Sequence, residues 1–131
     1  MKQLFDAIKC RFDTDAPLVA AVTGLYLVSA PQNTAFPYII YFPISSSGSS
    51  VFSGKSFDLR PIQFNIHTKG PSAVEACSIY DLLISRFDNC SMSMVDFSTV
   101  QMKRDADILL QDEERYWMYS VTYSIIVQQK S

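Results

Sequence analysis

The sequence predicts an α+β fold: a mainly antiparallel β-sheet of about four to five strands with helices packed on one face. Three observations carry this expectation. Apolar residues recur at helical spacing at the start of the chain and again over Ala73–Phe87. They alternate with polar residues, as in a strand, over Ile62–His67 and Trp117–Val127. The chain has 131 residues, 48% hydrophobic and 18% charged, enough to bury about two-thirds of its unfolded surface around one core. A single domain over residues 1–131 is therefore expected, with a mobile loop at about 45–56.

The first helix is set by Leu4, Phe5, Ile8 and Phe12, with Lys2, Asp6, Lys9 and Asp13 opposite. Asp15 is placed to cap a second, short helix with Pro17 in its first turn, and Gly24 to stop it in a left-handed conformation. A brief strand over Leu25–Ser29 follows. Tyr38-Ile39-Ile40-Tyr41-Phe42 is apolar on both faces, as in a strand that is buried twice or meets a neighbouring subunit. Ser45–Gly54 holds only Val51 and Phe52 among Ser and Gly, which suits a hairpin tip or arm.

In the next strand Ile62, Phe64 and Ile66 oppose Gln63, Asn65 and His67, and Pro61 points to a sheet edge or bulge. Ser72-Ala73-Val74-Glu75 has the spacing of a capping box. After it Ala73, Ala76, Cys77, Tyr80, Leu83, Ile84 and Phe87 make an apolar stripe, with Asn89 as the stop. Strands near Phe97–Met102 and Trp117–Val127 close the chain, joined by a charged connector, Lys103–Arg115. In the last strand Trp117, Tyr119, Val121, Tyr123, Ile125 and Val127 share one face.

The charge balance argues against a nucleic-acid binder. The net charge is −2 and no Lys/Arg cluster is present to displace counterions from phosphates. Charges throughout Met1–Phe12 do not suit a secretory signal. Pro17–Ala30 falls short of the roughly 18 apolar residues that span a bilayer, so no membrane association is expected. Cys10, Cys77 and Cys90 are odd in number and widely spaced, which suits reduced thiols in a cytoplasmic setting.

No constellation of catalytic, cofactor-binding or metal-binding residues emerges. Ser53-Gly54-Lys55-Ser56 ends like a phosphate-binding P-loop, but Gly48 is one residue too far away, and Phe57–Ile62 alternates like a strand where a helix is required. His67 is the sole histidine, lacks an accompanying nucleophile motif, and sits among polar strand residues. Asp105, Asp107, Asp112, Glu113 and Glu114 lack the alternation and glycine of a calcium loop and are interleaved with Lys103, Arg104 and Arg115. The feature most in need of an explanation is a polar but uncharged sheet face: Gln63, Asn65, His67, Ser120, Thr122 and Ser124. Such a face is either wetted by solvent or set against another subunit or a water-filled lumen.

The order of elements resembles the tail-completion or tail-terminator (head–tail joining) family of long-tailed bacteriophages, from about Leu18 to Val127. The carrying stretches are Pro17–Tyr26, Phe36–Tyr41, Ile62–Ile66, and Arg104-Asp105 followed by Tyr116–Tyr123. The resemblance implies a virion protein made in the host cytoplasm and located in the neck. It implies a homo-oligomer, a hexameric ring that terminates the tail tube, touches tube protein and head–tail connector or stopper proteins, and lets DNA pass without specific binding. Neither enzymatic activity nor a cofactor is expected. Tyr38, Tyr41, Phe42, Val51, Phe52 and Lys55 are the candidate subunit-interface residues. Gln63, Asn65, His67 and Thr122 are the candidate polar sheet face. A head-completion or stopper subunit on the portal side has the same sequence attributes, and a small ligand-binding module is the alternative from another class.

Overall fold

The computed structural model of the chain describes residues 2–44, 49–52 and 55–129. In order they form α1 (Lys2–Asp13), α2 (Ala16–Ala21), β1 (Leu25–Leu27), β2 (Tyr38–Pro43), β3 (Ser49–Phe52), β4 (Lys55–Thr68), α3 (Val74–Phe87), β5 (Phe97–Gln111) and β6 (Trp117–Gln129). The strands make one curled sheet in the order β1-β2-β4-β6-β5, with β3 folded back on the start of β4. Only β1 and β2 run parallel; the remaining pairs are antiparallel, so the fold is α+β with a mostly antiparallel sheet.

The helices form where periodicity placed them. The α1 helix buries Leu4, Ile8 and Phe12 and turns the pairs Lys2–Asp6 and Lys9–Asp13 outward, where such pairs add little stability. Asp15 caps α2 by accepting the Leu18 N–H at 3.2 Å, and Pro17 lies in the first turn. The C-terminal ends of α1 and α3 are tied by two arginines that satisfy each other's terminal carbonyls. Arg11 Nε donates to the Arg86 carbonyl and Arg86 Nε to the Arg11 carbonyl, both at 2.9 Å.

Gly24 does not stop α2 through a left-handed conformation. Its role is steric: a Cβ at this position would lie 2.7 Å from the Tyr26 hydroxyl, so any side chain here requires the Tyr26 ring to shift. The positive φ falls instead at Val28, at 69°, just beyond β1, where Val28 N–H bonds the Tyr41 carbonyl and the short strand ends.

The α3 helix differs from expectation in its start and its buried line. The Ser72 hydroxyl accepts from Val74 N–H at 3.4 Å and not from Glu75, so the capping box does not form. The residues turned fully inward are Ala76, Ile79, Leu83 and Phe87. Cys77, expected in the core, is exposed, while Cys90 is buried beside Met102. Asn89 follows the helix with φ of 54°, a conformation that asparagine tolerates, and stops it as expected.

Two strand expectations change. Lys103–Gln111 is not a connector; it continues β5 against β6, with register shifts between Thr99 and Gln101 and between Arg104 and Ala106. The charges that suggested a loop belong to an edge strand, where charges and bulges discourage pairing with stray strands. Pro61 lies within a central strand, yet its missing N–H is accommodated. The β2 strand ends opposite Ile62 and β3 begins opposite Asp58, so Pro61 faces the gap between them, and its carbonyl accepts the Ile44 N–H at 3.0 Å.

The core lies between the helices and one sheet face. Ile39 and Tyr41 from β2, Ile62, Phe64 and Ile66 from β4, Met102 from β5, and Val121, Tyr123, Ile125 and Val127 from β6 point into it. Phe64 is its aromatic hub, with ring centroids 5.1 Å from Phe87, 5.8 Å from Tyr123 and 6.0 Å from Tyr41. Above the core, Tyr80 of α3 stacks on Tyr119 at 4.1 Å and donates to Asp107, and Arg104 donates to Tyr80. Tyr123 donates to Asp88 at 2.6 Å, so α3 and its exit turn are pinned to β5 and β6. Burial, then the bond to Asp107, pushes the Tyr80 phenol up to about 12, and burial with the Asp88 bond raises Tyr123 further. Thr68 Oγ1 and Trp117 Nε1, opposite each other in register, are buried without a hydrogen-bond partner among the described residues.

Candidate subunit interface

The sheet face away from the helices gathers residues that the sequence assigned to two separate sets. Period two places Tyr38, Ile40 and Phe42 of β2 beside His67, Asn65 and Gln63 of β4. Those in turn face Met118, Ser120 and Thr122 of β6, and β5 completes the rows with Leu110, Ile108 and Ala106. Tyr38, Phe42, Gln63, Asn65, His67 and Thr122 therefore share one surface, and all six are half-buried. Ser120, in the middle of the same face, is only 6% exposed.

The middle of this face is polar and internally satisfied. Asn65 Oδ1 accepts from Gln63 Nε2 at 2.8 Å and from the Ser120 hydroxyl at 2.7 Å, which fixes the amide orientation. The Ser124 hydroxyl bonds the Asp105 carboxylate. The flank is apolar: Ile108 is 54% and Leu110 45% exposed on the edge strand, more than isolated surface residues on a charged strand require.

One of the interface candidates moves elsewhere. Tyr41 is 4% exposed, on the opposite parity from Tyr38 and Phe42, with its hydroxyl donating to the Phe5 carbonyl at 3.2 Å; it belongs to the core. The β3 backbone pairs Val51 with Ser56 and Phe52 with Lys55, so the stretch contains a hairpin. The side chains of Val51, Phe52 and Lys55 lie outside the described residues.

At one end the face becomes an aromatic groove of about 510 Å³. Phe36 lies 5.1 Å from Tyr38 and 5.2 Å from Tyr116 between ring centroids, and Tyr38 stacks on His67 at 4.9 Å. Trp117 and Asp112 complete its rim. Sequence reading missed Phe36, Asp112, Tyr116, Ile108 and Leu110 as site residues. The signal was the alternation Ala106, Ile108, Leu110 inside the supposed connector, masked by the charges between.

Burial lowers the His67 pKa from its ordinary value, and the Asp112 carboxylate opposes this more weakly. A histidine neutral when folded binds fewer protons than the unfolded chain just below pH 6.5, so stability rises with pH through that window and falls as pH drops toward the folded pKa. Melting curves of the wild type and His67→Gln between pH 5 and 7 check this. The variant is expected to lose part of the acid-side decline and to match the wild type's shape above about pH 7.

Among the described residues no three His, Cys, Asp or Glu side chains converge as a metal-binding group, and no helix is long and apolar enough to cross a membrane. The Arg104–Tyr80–Asp107 and Tyr123–Asp88 bonds hold elements together beneath the sheet and line none of the groove.

No protein-family model matches the chain, and no curated protein matches its sequence. Solved structures share the fold. A chain from the virion of a native gene transfer agent particle superposes with a TM-score of 0.86 at 14% identity, covering 97% of this chain and 96% of that one. A second solved chain superposes with a TM-score of 0.65 at 12% identity, covering 99% of this chain and 95% of that one.

Proposed function

We propose that the chain is a structural subunit of a phage-like virion, a ring-forming protein of the neck that terminates the tail tube and joins it to the head connector. The observation that carries this is the fold shared, nearly end to end, with a chain of a gene transfer agent virion. The element order resembling tail-terminator subunits supports the more specific position. A closed ring requires a heterologous contact, with two different surfaces on each subunit. The outer sheet face, with its apolar flank at Ile108 and Leu110, serves as one of them, and the β3–β4 hairpin, off the main strand order on the side of β4 away from β6, offers another. Gln63, Asn65 and Thr122 on the same face offer hydrogen bonds without net charge, which suits a polar centre within such a contact.

Co-sedimentation of the purified chain with tail tubes, and separately with portal rings, tests the assignment. Binding at tube ends supports the terminator role. Binding to portal rings alone reassigns the chain to the head-completion or stopper position, and binding to neither removes the neck assignment.

A further inference from the structure

The aromatic groove has a composition that an apolar contact alone does not require. Phe36, Tyr38, Tyr116 and Trp117 are among its lining residues, and one of these rings already has a cation over it, since Lys69 Nζ stands 6.0 Å from the Phe36 ring centroid. Asp112 is at its rim, followed by Glu113 and Glu114, against Lys69 and Arg115 nearby. The Asp112 carboxylate is held by the turn itself: Oδ1 accepts Glu114 N–H at 2.9 Å and Tyr116 N–H at 2.8 Å. Both bonds use Oδ1, so Oδ2 is left to meet an incoming donor.

We propose that this groove is a docking site for an arginine side chain carried by an apolar segment of a neighbouring polypeptide. A guanidinium is planar, stacks on aromatic faces and donates in a fork to a carboxylate. Rings with an oriented carboxylate at the edge match both properties, whereas a lysine ammonium is more strongly hydrated and stacks less well. Leu110 and Met118, also lining the groove, receive the apolar residues on either side of the arginine. The site rests on its own geometry and holds whether or not the chain closes into a ring.

The protein carries its own reporters, because it has a single tryptophan and a single histidine and both line the groove. The test titrates the full chain with acetyl-Leu-Arg-Leu-amide and with the citrulline counterpart, which keeps shape but not charge. Trp117 fluorescence and the His67 ring resonances are the readouts. Saturable shifts at both residues are expected with the arginine peptide, and the citrulline peptide is expected to bind roughly tenfold more weakly. Asp112→Asn keeps an Oδ1 for the two turn N–H groups, so it is expected to fold normally and to weaken only the arginine peptide, by about fivefold. Equal affinity for the two peptides, an unchanged affinity in Asp112→Asn, or no saturation with either peptide overturns the proposal.

Discussion

Ile108→Glu is expected to leave the isolated chain folded and to abolish its assembly. Ile108 is 54% exposed on edge strand β5, opposite Ser120 and on the sheet face away from the core. An exposed strand position of this kind changes stability by no more than about 0.5 kcal/mol. A contact that covers the outer face would instead bury the new carboxylate without a partner. That costs about 3–5 kcal/mol, a weakening of roughly 100-fold or more. The comparison is made by thermal unfolding of the free chain together with sedimentation velocity in the presence of tail tubes. Unchanged melting with lost co-sedimentation is the expected pair of results.

The opposite pattern is expected of Phe64→Ala. Phe64 is fully buried at the meeting point of Tyr41, Phe87 and Tyr123, so truncation removes a ring from between β2, β6 and α3. Loss of a buried phenylalanine costs about 3–5 kcal/mol. That is a large part of the roughly 5–15 kcal/mol that a domain of this kind holds in total. A fall in melting temperature on the order of 10–20 °C is expected. In urea the midpoint should drop with the slope preserved, since the surface exposed on unfolding is nearly the same. Assembly then fails only as far as the folded population fails, which separates a core defect from an interface defect.

Period-two and helical patterns made much of this fold legible. In β6 the inward set Val121, Tyr123, Ile125 and Val127 is the one alternation specified, and in α1 the buried Leu4, Ile8 and Phe12 are three of the four that spacing selected, Phe5 being half-buried. The α3 helix shows where such reading stops. Its stripe from Ala73 to Phe87 is broad, and sequence does not say which edge of a broad stripe meets the sheet; the helix turns Ile79 inward and leaves Cys77 outside. The β5 strand was hidden for another reason, since an edge strand tolerates charges that a central strand cannot. Lys103, Arg104 and Asp105 therefore looked like a loop.

The candidate site was legible in pieces. Alternation identified Gln63, Asn65, His67 and Thr122, and apolarity identified Tyr38 and Phe42. Their union on one surface depends on β2 and β4 pairing in the register Tyr38 with His67, which only the fold supplies. Tyr41 was included because a strand apolar on both sides does not reveal which side faces the helices. The groove joins residues as distant as Phe36 and Tyr116, and no local pattern anticipates that contact.

The most direct test is hydroxyl-radical footprinting of Ile108, Leu110 and Tyr38 in the free chain and in the chain docked on tail tubes. Strong labelling in the free state and loss of labelling at all three on docking is the predicted outcome. Equal labelling in the two states, with docking independently verified, contradicts the claim that this sheet face is the surface the particle covers.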